Sequence, residues 1–345
     1  MKLCIFGAGA IGGYLAAGLA QVEGAEVSVI ARGKHLDAIR ENGLTLVTTD
    51  KESGEESRST VRVQAALDPN EIGPVDVVFN CLKAHQAWES AEYVVPLLGP
   101  ETAMVCCQNG VPWWYFHGID GEHAGKRLDS VDRGNRQWDL IGPERAIGCS
   151  VYPAAEISEP GVIKHVYGDK FALGEPDGST SPRIQAISEI LEKGGFRAPV
   201  LDDIRSELWL KLWGNLCFNP ISALTRATLD IVASHPTSRA TAKAMMLEAQ
   251  AIAESLGASF RVDVERRING AAKVGKHRTS MLQDLEAGKK MEIDALVTAV
   301  QEMGRITGHP TPTIDIVLGL VQQLATAQGL YPTYPLDNDA DAAAA

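Results

Sequence analysis

The first twenty-two residues constrain this chain more than any other stretch. "KLCIF" (2–6) is an apolar run of strand length, it ends in "GAGAIG", and residues 10–22 continue with a helical pattern. Gly7, Gly9 and Gly12 form G-x-G-x-x-G between a strand and a helix, which is the context that gives this short pattern meaning. Gly7 permits a tight turn, Gly9 lets a pyrophosphate approach the backbone, and Gly12 lets helix pack closely on strand. The helix N-terminus then faces the phosphates. Gly7, Ala8, Gly9, Ala10, Ile11 and Gly12 are thus candidate cofactor contacts; the plain alternative is a βα turn rich in small residues.

Strand-like runs follow at 26–30, 44–48, 61–65, 75–81 and 103–107, alternating with helical segments. Such alternation predicts a parallel sheet with helices on both faces, and the continuous apolar run at 75–79 fits a strand buried on both sides. Residues 117–145 are polar, glycine-rich and weakly periodic, and are expected to be an inserted loop or flap. Strand signals return at 146–152, 162–167 and 170–173, then a helix near 181–194 and a short strand near 197–201. From about 203 the character changes. Helical patterns cover 204–218, 220–230, 238–256, 263–276, 279–286, 292–307 and 313–327, with almost no strand signal. The expected division is a nucleotide-binding domain over 1–202, a helical domain over 203–330 and a disordered tail over 331–345.

A net charge of −12 and a pI near 5.2 argue against a general nucleic-acid binder, whose phosphate contacts need a basic face. No run reaches the ~20 apolar residues of a membrane span, and the N-terminus reads as a first strand and not as a signal peptide. The six cysteines lie in apolar surroundings without CxxC spacing, as expected of reduced, buried thiols in a cytoplasmic protein. No HxxxH, HExxH or G-x-S-x-G pattern occurs, which disfavours zinc and serine-hydrolase chemistry.

The second strand "VSVIARG" ends in Arg32 where an NAD-specific site carries an acid for the ribose 2′-hydroxyl. A guanidinium there suits a 2′-phosphate, so NADPH is the expected cofactor; the alternative is a solvated arginine. Lys83 and Asn109 each follow the carboxyl end of a predicted strand, the edge where open α/β sheets bind ligands. Lys83 suits a phosphate or carboxylate, and Asn109 a nicotinamide or substrate oxygen; a loop lysine and an "NG" turn are the alternatives.

In "KLWGNLCFNP" (211–220), Lys211, Asn215 and Asn219 recur every fourth residue through an otherwise apolar helix. They share one face, and Pro220 is expected to kink or restart the helix, with Asn219 as a cap. An unpaired buried amine or amide costs several kcal/mol, so the stripe lines either a cleft or open solvent. The narrow sector left by Trp209, Trp213 and Leu216 favours the cleft. Ser280 and Glu292 lie on separate helical runs joined through Gly288, which a short hairpin could aim into the same cleft; a helix cap and a surface acid are the alternatives.

"GAGAIGGYLA", "CLKAHQ", "QNGV", "ELWLKLWGNLCFNPISALT", "TSMLQDLEAGKKMEID" and "GHPTPT" together resemble the ketopantoate reductase (2-dehydropantoate 2-reductase) family, in the family's order over about 7 to 327. The resemblance implies an α/β Rossmann-type N-terminal domain with a parallel sheet. It also implies an all-α C-terminal domain of the 6-phosphogluconate-dehydrogenase type and a substrate cleft between the two. It implies that Gly7, Gly9, Gly12, Arg32 and Lys83 hold NADPH, and that Asn109 stands between cofactor and substrate. It gives Lys211 as the catalytic lysine, Asn215, Asn219 and Ser280 as substrate-holding residues, and Glu292 as a catalytic acid near the nicotinamide. The implied activity is NADPH-dependent reduction of a 2-oxo acid, 2-dehydropantoate to pantoate in pantothenate biosynthesis, by a cytoplasmic enzyme for which a homodimer is one implied state, with no nucleic-acid or membrane partner. Departures are His277, where some members carry asparagine, and "WWYFHG" with the segment 117–145. Trp113, Trp114, Tyr115 and Phe116 are either core or part of a reshaped acyl-chain pocket. Two other readings stay open: a paralogous reductase of another 2-oxo acid or ketone, and a non-catalytic NADPH-binding sensor.

Overall fold

The structure, a computed structural model, describes residues 1–50 and 53–332. The part of the expected tail over 333–345 lies outside the described residues. The chain divides into two units, Met1–Leu208 and Trp209–Ala345.

In the first unit the strands are β1 (Lys2–Phe6), β2 (Glu26–Ile30), β3 (Leu44–Thr49), β4 (Glu56–Val61), β5 (Gln64–Ala66), β6 (Val75–Asn80), β7 (Leu98–Cys106), β8 (Ala146–Val151), β9 (Ala154–Glu159), β10 (Val162–Tyr167) and β11 (Phe171–Gly174). The helices are α1 (Ala10–Leu19), α2 (Gly33–Asn42), α3 (Ala84–Glu89), α4 (Ala91–Val94), α5 (Arg136–Leu140) and α6 (Pro182–Lys193). The expected parallel sheet is present as a seven-stranded sheet in the order β11-β8-β7-β6-β1-β2-β5. From β5 to β8 all pairings are parallel, and β11 closes the edge antiparallel to β8. Leu3, Ile5, Val78, Phe79, Met104 and Ile147 are buried, as strands covered on both faces require.

One face differs from the expectation of helices alone. A second, four-stranded sheet, β4-β3-β10-β9, packs on α1. The run at 44–48, one of the strands expected in the parallel sheet, pairs instead with the later run at 162–167, Thr45 opposite Val162. Glycine makes the close packing possible: a Cβ on Gly13 would stand 2.6 Å from Ile163 Cδ1. Beside it Tyr14 stacks on His165 of β10 with ring centroids 4.6 Å apart. The run expected at 61–65 is split, with Val61 ending β4 and Gln64 opening β5. The stretch near 197–201 makes single bridges to β11 and its approach, Arg197 to Lys170 and Val200 to Leu173.

Residues 117–145 are not a loose flap. They contain α5 and bury Leu128, Val131 and Ile141. Asp132, itself buried, accepts from the Gln137 and Trp138 amides at 2.8 and 3.0 Å and so starts α5. Trp113, Trp114, Tyr115 and Phe116 are all core residues. The Arg205 guanidinium holds them in place by donating to the carbonyls of Tyr115, His117 and Pro176 while lying 5.5 Å from the centroids of Trp114 and Tyr115.

The remaining elements are helical: α7 (Ile204–Thr225), α8 (Leu229–Ser234), α9 (Pro236–Ser255), α10 (Val264–Ala272), α11 (Ser280–Glu286), a π-type turn over Asp294–Thr298 that runs into α12 (Ala299–Thr307), and α13 (Pro312–Ala327). Among the described residues no strand follows α7. Trp213 anchors α7 in the second unit, stacking on Phe260 at 3.9 Å and donating its indole N–H to the Met246 carbonyl at 2.9 Å. Of the kink or restart expected at Pro220, the restart does not occur; α7 runs through it. A mid-helix proline costs about 3 kcal/mol, and the burial of Leu216, Phe218 and Ile221 around it, at about 1.5–3 kcal/mol for each such side chain, outweighs that loss. The helix ends at Arg226, which takes the left-handed φ of 58°. No helix among the described residues is long and apolar enough to cross a membrane.

Candidate functional site

The glycine turn emerges from β1 with Gly7 at φ +99°, a conformation that glycine adopts without strain. The amides of Gly7 and Ala8 donate to the Ile30 carbonyl at 3.2 and 2.9 Å, tying the turn to the end of β2. A Cβ on Gly12 would collide with the Gly7 carbonyl oxygen and stand 2.9 Å from Ile5 Cγ2, so Gly12 is required by packing alone. Gly9 is different: a Cβ there would meet no atom within 4 Å. The protein leaves space in front of Gly9 that it does not itself use. Behind that space α1 begins without a side-chain cap and without an acid in its first turn. Its first N–H groups and the positive end of its dipole are therefore available to an anion. This cradle fits a dinucleotide pyrophosphate.

Other candidates follow carboxyl ends of neighbouring strands of the same sheet. Arg32 comes just after β2, exposed, as the residue preceding α2. Lys83, half-buried, comes after β6 and precedes α3, and Asn109, also half-buried, follows β7 beside Gly110 at φ +95°. β1, β2, β6 and β7 are adjacent, so parallel pairing brings these residues to one edge of one sheet. A residue the sequence reading missed is also here. His35 in α2 places Nε2 2.8 Å from the Ala8 carbonyl, and its Nδ1 accepts from the Gly161 amide at 3.0 Å.

The second group sits on α7 and the segments after α10. Lys211 and Asn215 are half-buried and Asn219 is buried, while Leu212, Trp213, Leu216, Cys217 and Phe218 between them are buried. Asn219 donates from Nδ2 to Ser280 Oγ at 3.3 Å, so two predicted substrate contacts from distant parts of the chain meet. Asn219 is therefore not the expected cap of a new helix. Ser280 is not the cap of α11 either; Thr279 is, accepting from the Leu282 amide at 3.3 Å. Glu292 is buried, before the π-type turn, and His277 is exposed. Gly214, one turn beyond Lys211, has no side chain because the Arg267 guanidinium lies across it.

The first turn of α7 carries a buried carboxylate, Glu207. One of its oxygens accepts from Tyr152 Oη and from Lys170 Nζ, each at 2.7 Å. Burial lowers the pKa of the His35 imidazole and of the Arg205 guanidinium from their ordinary values. Burial also pushes the Cys106 thiol up to about 12, against the opposing pull of the Trp114 and Trp113 indole N–H groups. Five of the six cysteines are buried and Cys81 is half-buried. Among the described residues no group of three His, Cys, Asp or Glu side chains is placed to hold a metal ion.

Two family models match, "Ketopantoate reductase PanE/ApbA" over residues 3–178 and "Ketopantoate reductase PanE/ApbA C terminal" over 203–325. A curated 2-dehydropantoate 2-reductase of Mesorhizobium japonicum is 56% identical over 331 residues, covering 96% of this chain and 100% of its own length. The crystal structure of a protein of Ralstonia solanacearum MolK2 superposes with a TM-score of 0.89 at 40% identity, covering 96% of this chain and 99% of that one. A PanE/ApbA family ketopantoate reductase of Ralstonia eutropha JMP134 gives a TM-score of 0.80 at 27% identity, over 95% of this chain and 100% of that one.

Proposed function

Because the chain belongs to the ketopantoate reductase family, we propose that it is an NADPH-dependent reductase of 2-dehydropantoate, forming pantoate. The observation that carries the reading is the polar face of α7: an amine and two amides at i, i+4 and i+8, with Leu212, Trp213, Leu216, Cys217 and Phe218 between them buried, the last of the three bonded to Ser280. A helix that needed only to pack would have no use for these groups.

When bound, NADPH supplies a hydride from nicotinamide C4 to the C2 carbonyl carbon of the substrate. The Gly7–Gly12 turn and the first turn of α1 hold the pyrophosphate, Arg32 pairs with the 2′-phosphate, and Lys83 meets a phosphate or carboxylate group at the end of β6. Asn109 serves the cofactor and the substrate. Lys211 donates a hydrogen bond to the C2 carbonyl oxygen, where negative charge develops as the hydride arrives, and then gives that oxygen its proton. Asn215, Asn219 and Ser280 bind carboxylate and hydroxyl oxygens of the substrate. The bond between Asn219 and Ser280 keeps both in fixed rotamers before substrate arrives, which reduces the entropy lost on binding. Glu292 orients Lys211 or the substrate hydroxyl.

The test is steady-state oxidation of NADPH, followed by absorbance, with 2-dehydropantoate and a graded set of other 2-oxo acids. Turnover greatest on 2-dehydropantoate is expected. A higher kcat/KM on a different 2-oxo acid would move the assignment to a paralogous reductase, and cofactor binding without turnover on any of them would overturn it.

A further inference from the structure

Ala8 is held on both sides: its own N–H donates to the Ile30 carbonyl at the end of β2, and its carbonyl, which begins the peptide to Gly9, accepts from His35. The imidazole can do this in one tautomer only. The Gly161 amide has a proton to give and no lone pair, so Nδ1 is the bare, accepting nitrogen and the ring proton is on Nε2, donated to Ala8.

Gly161 is itself fixed. It lies in the turn between β9 and β10 at φ +77°, its carbonyl accepts from the Thr45 amide at 2.9 Å, and a Cβ on it would stand 3.1 Å from Ala38 Cβ on α2. The second sheet thus reaches through His35 to the glycine turn. In a planar trans peptide the carbonyl and the following N–H point in opposite directions. Holding the Ala8 carbonyl toward His35 therefore turns the Gly9 N–H the other way. Gly9 is the residue beside which the protein leaves space.

We propose that His35 is a positioning residue for the dinucleotide. It touches neither cofactor nor substrate, but by holding the Ala8 carbonyl it presents the Gly9 N–H as a donor to the pyrophosphate. This rests on the reading that the turn holds NADPH.

The experiment uses the full chain and measures the NADPH Kd by nucleotide fluorescence, together with KM for each substrate and kcat. His35→Ala removes both bonds. It is expected to raise the NADPH Kd and KM about fivefold to tenfold, the equivalent of about 1–1.4 kcal/mol, with kcat at saturating NADPH and KM for the 2-oxo acid changed by less than about twofold. His35→Gln keeps one donor and one acceptor on a side chain of similar reach and is expected to recover most of the affinity. His35→Met fills the space without either bond and decides the matter if the alanine variant does not fold.

Alanine or methionine variants that bind NADPH within about twofold of the parent would overturn the proposal, as would a glutamine variant no better than alanine. A fall in melting temperature with unaltered Kd would assign His35 to stability and equally overturn it. A parent chain that binds no NADPH would bring down the reading itself, an outcome distinct from any of these.

Discussion

Replacing Gly9 and Gly12 by alanine, one at a time, separates space kept for a ligand from space consumed by packing. At position 12 the new Cβ would strike the Gly7 carbonyl oxygen and crowd Ile5 Cγ2 at 2.9 Å and Cys81 Cβ at 3.1 Å. Little of this can move. Ile5 is fully buried, and the Gly7 and Ala8 amides are both tied to Ile30. Alanine favours helix over glycine by about 1 kcal/mol, while overpacking costs about 1–3 kcal/mol and more where backbone must shift. The collision wins, with a net loss of about 2 kcal/mol, or roughly 4–8 °C in melting temperature for a unit of this size.

At position 9 the methyl meets nothing. Its φ of −69° is ordinary for alanine, and the entropy gained by restricting the unfolded chain, about 0.4–1 kcal/mol, offsets a poorer helix cap of about the same size. Stability should therefore stay within about 0.5 kcal/mol, whereas NADPH affinity falls at least about tenfold because the methyl occupies the pyrophosphate's approach. Thermal unfolding without nucleotide and an NADPH fluorescence titration read the two effects separately. A Gly9→Ala chain that binds NADPH like the parent would refute the argument that this space serves the cofactor. A Gly12→Ala chain as stable as the parent would refute the packing argument.

Lys211→Ala should lower kcat by about 10²–10⁴-fold, the range for loss of a general acid, with the NADPH Kd little changed; equal turnover would reject its role. Arg32→Ala should raise KM for NADPH much more than KM for NADH, read from the ratio of the two in one assay, and an unchanged ratio would remove the 2′-phosphate argument. Glu207→Ala removes the buried carboxylate that accepts from the half-buried Lys170 ammonium and from Tyr152 Oη and should cost about 1.5–3 kcal/mol in chemical denaturation; a loss below about 1 kcal/mol would show that the pair behaves like one on the surface. Folding holds the His35 imidazole neutral, its pKa below the ordinary value near 6.5. Its contribution to stability is thus complete above that value and is lost as pH falls below it toward the lowered pKa, because the unfolded chain takes up the proton first. His35→Gln should flatten this part of the stability–pH curve, and a slope identical to the parent's would exclude His35 as its source.

Features carried by neighbouring residues were legible before the fold was known. The strand, the glycine turn and the first helix lie within twenty residues and obey one local grammar, and the stripe on α7 needs only the helical repeat. What was illegible depends on pairing across the chain. β3 and β10 read as ordinary strands, but nothing in either run says that Thr45 pairs with Val162 and not with the main sheet. The segment 117–145 read as a flap because Leu128, Val131 and Ile141 follow no period; their burial is decided by the surfaces they meet. Pro220 reads locally as a kink or a restart, and tertiary packing carries α7 through it without the restart.

His35 belongs to the same class of long-range effects. A histidine in the first turn of a surface helix carries no local mark of use, and its meaning comes from Gly161, far along the chain, and from Ala8. Glycine turns of this kind are usually explained by the strand and helix on either side of them. In this chain the second sheet adds an outside constraint on the one peptide whose orientation decides where the Gly9 donor points. A scaffold built from β1 and α1 alone would hold the turn's path while leaving that peptide freer to rotate. On this argument, disrupting the β9–β10 turn should weaken the cofactor site even though no residue of that turn belongs to it.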